Sequence, residues 1–289
     1  MPLHDVGRGQ SGEPSGPLKI VSLEGTLDGR RLRIARLDGA LSPADGGDAA
    51  RAEDLVATAI EEARATGHTL ALALSAQSGQ TMALDGFKAL PCSEAACRTV
   101  LPVPWPKEPA WLRAGDDPLR CVPGLRPARP DDLDEVAAIH AEAIAGQRLR
   151  VDRDRSVWDR LLAGRERPRI TEDGDAPFWV IERGGRVDAY VVLGGGRPTA
   201  RWREHGARRG AENPLADLFW SVLAWARGAR LARIEGWCMP DTLTVQPLYP
   251  TSDRSRKGNV PMLRSLDPQT ALPDFRREDE CRLGEIDAL

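Results

Sequence analysis

Residues 37–91 read LDGALSPADGGDAARAEDLVATAIEEARATGHTLALALSAQSGQTMALDGFKALP, and this stretch contains the clearest pattern of secondary structure in the chain. Within it, apolar residues recur at helical spacing from 50 to 66 and stop at Gly67, which predicts a helix that ends there. The apolar run TLALALS at 69–75 comes directly after that helix. A short apolar run in this position is typical of a buried parallel strand. The stretch therefore predicts a strand–loop–helix–strand unit.

The flanking sequence predicts further strands on both sides of this unit. IVSL and LRIARLDGALS alternate apolar and polar residues around Asp28-Gly29, a pair that favours a tight turn, so they predict a hairpin. GFKALP at 86–91 predicts one more strand. Eight prolines then fall between Pro102 and Pro130, and so dense a run disfavours helices and central strands. This segment is expected to connect two halves of the chain.

The second half repeats the same order of elements. Pro130 and the acidic residues after it begin a predicted helix at 131–145, and a shorter helix is predicted at 156–163. FWVIER and DAYVVLG predict two strands around Gly184-Gly185, and ARWREHG predicts a third. ENPLADLFWSVLAWARG has the pattern of an amphipathic helix, and LARIEGWC that of a strand. The shared order is a weak internal repeat.

These patterns predict five segments. They are a disordered lead-in at 1–16, an N-terminal partial lobe at 17–110, a proline-rich strap at 111–123, a C-terminal lobe at 124–270 and a polar tail at 271–289.

The composition narrows the class of protein. The chain has 289 residues, 41% of them hydrophobic, and a formal net charge of −3, so no general attraction to nucleic acid or anionic membranes is expected. It contains no run of 18 apolar residues, and its N-terminus lacks the apolar core of a secretory signal. The five cysteines include no C-x-x-C pair, which argues against a disulfide framework and against a metal site. We expect a protein of the reducing cytoplasm.

Four segments of the chain resemble the GNAT superfamily of acyl-CoA-dependent N-acetyltransferases. They are the stretch 37–91, the run GLRPARPDDLDEVAAIHAEA at 124–143, and the short segments PWPKEPAWL and PMLRSLD. Within it, the chain looks most like bacterial tandem proteins related to the fungal lysine acetyltransferases. The resemblance covers most of 18–266 and implies an α/β fold of two GNAT-like lobes, each a mixed sheet flanked by helices, with the N-terminal lobe incomplete. It also implies acyl transfer from acetyl-CoA to a primary amine of a small molecule or of lysine, without a metal.

In this family coenzyme A binds where a strand ends and a glycine-rich loop leads into a helix, whose first N–H groups face the pyrophosphate. The resemblance places cofactor binding on Leu41, Ser42, Gly46, Gly47, Ala49, Ala50, Arg51 and Ser75. It also suggests two catalytic residues. Glu24 would relay the proton of the amine, and Ser78 would meet the departing thiolate.

Four positions depart from the family's R-G-x-G-x-A loop and from its catalytic tyrosine. Gly46 stands in place of the arginine, and Ala49 in place of the second glycine. Asp48 brings a negative charge to the phosphate site, and Met82 stands in place of the tyrosine. Losing one arginine–phosphate bond costs about 1.5–3 kcal/mol. Two functions therefore stay open: an active acyltransferase, or a catalytically inactive relative that binds a ligand or a partner.

The second half contains an alternative anion site. The stretch EHGARRGAE at 204–212 holds two arginines and two glycines directly before a predicted helix, which favours phosphate binding there. The alternative is an ordinary solvated turn, because such arginine- and glycine-containing loops are common by chance in an arginine-rich chain. His140, inside the predicted helix 131–145, is expected to be structural. The sequence leaves open which lobe holds the cofactor.

Overall fold

The structure is a computed structural model, and it describes most of the chain. The described residues are 18–38, 49–75, 86–90, 96–99, 108–163, 169–171, 174–175, 177–196, 199–210, 212–236, 260–276, 280–281 and 283.

Strands and helices alternate along these residues. In chain order, the strands are β1 (Lys19–Leu27), β2 (Arg30–Asp38), β3 (Leu70–Ser75), β4 (Lys88–Ala89), β5 (Ala96–Thr99), β6 (Leu125–Pro127), β7 (Leu149–Asp152), β8 (Arg169–Thr171), β9 (Gly174–Asp175), β10 (Phe178–Arg183), β11 (Arg186–Gly196), β12 (Thr199–Ala207), β13 (Arg233–Gly236) and β14 (Val260–Ser265). The helices are α1 (Ala49–Ala65), α2 (Ala110–Ala114), α3 (Pro118–Cys121), α4 (Leu133–Ile144), α5 (Arg155–Leu162) and α6 (Glu212–Gly228).

The unit predicted from residues 37–91 is confirmed in the first sheet, whose strand order is β4–β14–β3–β2–β1–β7. Helix α1 connects β2 to β3, and these strands pair in parallel from Ile34–Leu70 to Leu37–Ala73. The predicted hairpin joins β1 and β2. Its turn is Asp28-Gly29, and both residues have positive φ, as the favoured two-residue hairpin turn requires. The side chains that pack α1 on this sheet are Val56, Ala59, Ile60 and Ala63.

The second sheet has the order β5–β13–β12–β11–β10–β6. Helices α4 and α5 cover one face, where the buried core includes Leu133, Ile139, Trp158, Leu161, Val180 and Val192. Helix α6 covers the other face with Trp202, Leu218, Phe219, Val222 and Leu223. Helix α6 also connects β12 to β13, which pair in parallel. The predicted repeat of strand, helix and parallel strand is therefore present in both sheets.

Each sheet takes strands from both halves of the chain. Strand β5 leaves the first half and pairs with β13 in the second sheet. Strands β7 and β14 come from the second half and pair with β1 and β3 in the first sheet. The two sheets are thus connected by reciprocal strand exchange as well as by the chain between them.

The segment 111–123 forms most of α2 and all of α3. Leu112 and Val122 are buried in the core on the α6 face of the second sheet, and Trp111 packs against the same core. Trp158, Trp179 and Trp220 are also buried. In the described ranges, no helix is both long and apolar enough to cross a membrane.

Candidate functional site

Most of the site predicted in the first half, including the cofactor loop, lies outside the described residues. The predicted positions outside them are Leu41, Ser42, Gly46, Gly47, Asp48, Ser78 and Met82. The backbone of the remaining predicted residues is described: 49–51 form the first turn of α1, and Ser75 is the last residue of β3. The end of β3 and the start of α1 therefore lie at the carboxyl edge of the parallel pair, the edge where ligands bind in open α/β sheets.

Glu24 lies elsewhere in the first sheet. It pairs in register with Arg33, and its carboxylate is 3.7 Å from the Arg33 guanidinium, with 67% of the side chain exposed. Arg33 lies one residue before Ile34, which pairs with Leu70 of β3. Ser75 lies five residues after Leu70, so the two positions are six residues apart along the strands. At about 3.3 Å per residue, Glu24 and Ser75 are roughly 20 Å apart along the sheet. The structure does not bring these two predicted residues together.

The second parallel unit has an irregular strand at its centre. Strand β12 pairs with β13 from Thr199–Arg233 to Trp202–Gly236, where the described pairing ends, and β12 continues to Ala207. At the same point its pairing with β11 shifts. Trp202 faces Leu193 and Glu204 faces Val192, so two steps along β12 correspond to one step along β11. Arg203 is therefore the extra residue of a β-bulge, which bends the strand.

A buried charged cluster lies at this bulge, under α4 and α5. Glu204 accepts a salt bridge from Arg153, with 2.8 Å between Oε2 and Nη2, and the Arg153 side chain is only 2% exposed. Arg153 Nη1 is also 3.5 Å from Nδ1 of His140, a residue buried in α4. The Arg153 guanidinium lies 5.4 Å from the centre of the Trp158 ring. These contacts fix Arg153 from three sides.

The charge state of Glu204 follows from this environment. Burial by itself raises the pKa of the Glu204 carboxyl. The positive charge of Arg153 and the neighbouring His140 and His205 lower this pKa by a larger amount, so that it is about 2. Glu204 is therefore ionised throughout the neutral range. Arg203 beside it packs over Gly194, where a Cβ would lie 2.6 Å from Arg203 Cδ, so a residue larger than glycine at 194 would displace this side chain.

His205 points to the opposite face of the sheet. It faces Val191, which belongs to the core under α6, whereas Glu204 faces Val192, which belongs to the core under α4 and α5. The indole N–H of Trp202 donates to His205 Nδ1 at 3.0 Å. Because an indole nitrogen can only donate, Nδ1 carries no proton, and a neutral ring then carries it on Nε2. His205 can thus donate a hydrogen bond through Nε2.

The turn before α6 is shorter than the predicted loop at 204–212. Residues 204–207 belong to β12, because they continue its pairing with β11, so the turn begins at Arg208. Arg208 donates to the Val187 carbonyl oxygen at 2.8 Å and to Glu135 at 2.7 Å. Arg209 is 90% exposed, and its Nε lies 3.5 Å from Oε1 of Glu142. Gly210 has a φ of +77° with open space where a Cβ would be. Arg209 is therefore the arginine of this turn that an anion at the start of α6 can reach.

The sequence prediction missed Arg153, and it placed Glu204 both at the end of the predicted strand ARWREHG and in the candidate anion site at 204–212. A signal for Glu204 was present, because Arg203 and Glu204 place two adjacent charges where the alternation of Thr199–Trp202 predicts an apolar residue at 204. No local signal pointed to Arg153, whose position depends on strand β7. Across the part of the chain that the structure describes, no three or more His, Cys, Asp or Glu side chains are placed to hold a metal ion.

Comparison with solved structures identifies the fold. A GCN5-related N-acetyltransferase from Anabaena variabilis aligns with a TM-score of 0.56 and 16% identity, over 86% of this chain and 59% of that one. Saccharomyces cerevisiae N-myristoyltransferase with bound myristoyl-CoA aligns with a TM-score of 0.57 and 10% identity, over 91% of this chain and 68% of that one. A GCN5-related N-acetyltransferase from Kribbella flavida gives 0.53 and 17%, over 86% and 57%.

This chain therefore spans less than two thirds of the two N-acetyltransferase chains. At the sequence level, neither a protein-family model nor a curated protein matches it. At these identities the likeness shows the fold alone: an α/β molecule of two mixed sheets flanked by helices, as in GNAT proteins.

Proposed function

We propose that this protein is an acyl-CoA-dependent N-acyltransferase that transfers an acetyl group to a primary amine of a small molecule or of lysine. The observation that carries this proposal is the bulged strand β12, which bends at Arg203 and then leads through a short turn into α6. The structural neighbours support the class, because they are N-acetyltransferases and an N-myristoyltransferase with bound myristoyl-CoA.

The second lobe offers the groups that such a donor needs. In this proposal an extended pantetheine arm pairs as an added strand with the backbone of β12 beyond the bulge at Arg203. The first N–H groups of α6 and the exposed Arg209 can hold the pyrophosphate. The first-lobe loop from Leu41 to Arg51 remains the alternative donor site.

The reaction joins the amine nitrogen to the acyl carbon and breaks the carbon–sulfur bond. Glu204, with a pKa of about 2, is too weak a base to take the amine proton at neutral pH, so it acts as a fixed negative charge. We assign proton movement from the amine to the departing sulfur to water.

A catalytically inactive binding protein is the second candidate. The departures Gly46, Asp48, Ala49 and Met82 in the first-lobe motif favour it, since they remove a phosphate contact and the expected acid. We also propose a cytoplasmic location, supported by the free thiol of Cys121.

Calorimetry with acetyl-CoA tests the donor site. We expect Arg209→Gln to weaken binding about tenfold, since it removes one charge-assisted phosphate bond. Arg208→Gln is the matched control. The Arg208 side chain is held by Glu135 and Val187, so we expect lower thermal stability and unchanged affinity.

The double variant Gly46→Arg/Asp48→Arg tests the first-lobe loop as the alternative donor site. Tighter binding there would move the donor site to the first lobe.

Activity separates the two candidate functions. Thiol release from acetyl-CoA should rise when lysine, a polyamine or an aminoglycoside is added as the amine. Wild-type protein that binds acetyl-CoA but releases no thiol with any of these amines would favour the inactive binding protein. Wild-type protein that binds no acyl-CoA would contradict both the donor site and the proposed reaction.

A further inference from the structure

An open pocket of about 370 Å³ lies at one edge of the first sheet. It is formed where α1 ends, where β4 and β14 run side by side, and by the turn that follows β14. Pockets of this size commonly hold small organic molecules. Strand β14 reaches this place at Ser265, which pairs with Leu70 at the start of β3. The pocket is therefore at the opposite end of β3 from Ser75 and the predicted first-lobe cofactor loop.

Three cationic side chains from three different elements line this pocket: Arg64 at the end of α1, Lys88 in β4 and Arg264 in β14. Neither Arg64 nor Lys88 has a carboxylate within salt-bridge distance in the described ranges. Some other arginines of this protein are paired: Arg126 and Arg153, for example, lie 2.6 and 2.8 Å from carboxylate oxygens. Two cations in one pocket thus lack a carboxylate partner within salt-bridge distance among the described residues.

The acidic residue in the lining does not supply that counter-charge. Asp267 is bound within its own turn, where its carboxylate accepts the Gln269 N–H at 2.9 Å and the Thr270 hydroxyl at 2.8 Å. The Ser265 hydroxyl closes the same turn by donating to the Asp267 and Thr270 carbonyl oxygens. The turn is therefore held in shape without Arg64 or Lys88, and both cations remain available to a ligand.

We propose that this pocket binds the phosphate group of a small molecule. A guanidinium presents a fork of donors that suits phosphate oxygens, and an ammonium adds a point charge beside it. The Arg64 guanidinium is oriented by its Nε, which donates to the Leu266 carbonyl oxygen at 3.4 Å. Ala271 and Leu272 supply apolar lining for the organic part of the ligand. This site is separate from acyl transfer and does not depend on the proposed function.

Calorimetric titration of the full chain with inorganic pyrophosphate, and separately with ADP, tests this site. The double variant Arg64→Gln/Lys88→Gln removes the two unpaired cations. We expect it to weaken binding of both probes at least about tenfold. The control Arg113→Gln/Arg120→Gln makes the same change of net charge on the exposed short helices α2 and α3, and it should leave the affinity unchanged. ADP binding more tightly than pyrophosphate would identify an organic phosphate as the ligand, and equal affinities would identify the inorganic group.

Three results would overturn the proposal. The first is no saturable binding of either probe by the wild-type chain. The second is equal binding by the wild type, the pocket variant and the control, which would indicate non-specific attraction. The third is binding that Arg209→Gln abolishes and the pocket variant retains, which would assign the phosphate to the start of α6. Circular dichroism of the pocket variant shows whether it is folded, and the single variant Lys88→Gln, at an exposed side chain, serves if it is not.

Discussion

At the scale of single residues, the most important feature is a buried ion pair. Arg153 and Glu204 are both almost fully buried, and each provides the other's counter-charge. Removing one member of such a pair leaves an uncompensated charge inside the protein, which typically costs about 3–5 kcal/mol. We therefore expect Glu204→Gln to lower the free energy of unfolding by an amount in that range at neutral pH, as measured by urea denaturation.

The same pair predicts how stability depends on pH. The carboxyl of Glu204 has a pKa of about 2 in the folded protein and 4.5 ordinarily, so folding favours its ionised form. The resulting stabilisation is complete above about pH 5 and is lost as the pH falls through the folded pKa. This group alone should lower the free energy of unfolding by about 3 kcal/mol between pH 5 and pH 2.

Urea denaturation of wild type and Glu204→Gln across this pH range isolates the contribution. A protonated Glu204 resembles glutamine, so the difference in stability between the two proteins should close at low pH. Glu24→Gln is the control: its exposed side chain predicts a difference within about 0.5 kcal/mol of the wild type at every pH. A gap for Glu204→Gln that stays constant down to pH 2 would show that the carboxylate is not held by Arg153.

At the scale of elements, the short strand β7 links the two sheets. It pairs with the end of β1 from Glu24–Asp152 to Leu27–Leu149, and Arg153 follows its last residue directly. Gly25 lets the two backbones approach closely, because a Cβ at this position would lie 2.3 Å from the Arg150 carbonyl oxygen. The first sheet therefore positions the arginine that the second sheet buries.

Gly25→Ala tests this link. The added methyl group has to push β7 away from β1, and overpacking of this kind typically costs about 1–3 kcal/mol. Because Arg153 moves with β7, the acid-dependent stabilisation by Glu204 should shrink as well. Gly146→Ala is the matched control, since a Cβ there meets nothing within 4 Å. Thermal and acid unfolding identical to those of the control would mean that β7 does not hold Arg153 in place.

At the scale of the whole molecule, strand exchange couples the two halves. A chain cut near residue 123 would separate β3 from β14 and β13 from β5, and it would expose strand edges in both sheets. We expect the fragments 1–123 and 124–289 to be insoluble or unfolded when each is expressed alone. A fragment that unfolds cooperatively by itself would contradict this expectation.

The intact chain should then unfold in a single transition. All eight tryptophans lie at or after residue 105, so their fluorescence reports mainly on the second half, whereas far-ultraviolet circular dichroism reports on both sheets. In a urea titration the two curves should coincide, as they do when no intermediate is populated. Two separated midpoints would show that the sheets unfold independently despite the exchanged strands.

Local chemistry was enough to predict several elements. The Asp28-Gly29 hairpin, the helix α1 and the strand β3 were predicted because turn preference and apolar spacing act within a few residues of chain. The resemblance to GNAT proteins rests on the same local order, and the structural neighbours show that fold. The predicted site was placed in the first lobe for the same reason, because its motif was the one recognisable in the sequence.

The tertiary structure alone decided the strand exchange and the buried cluster. Gly25 pairs with Val151, and Val260 pairs with Ser75, across more than a hundred residues of intervening chain. A strand as short as LRVD carries too little pattern to indicate which sheet it joins, because its partner is chosen by edge pairing and burial rather than by its own residues. The sequence by itself therefore determined the repeated strand–helix–strand unit, and only the assembled sheets brought Arg153 to Glu204.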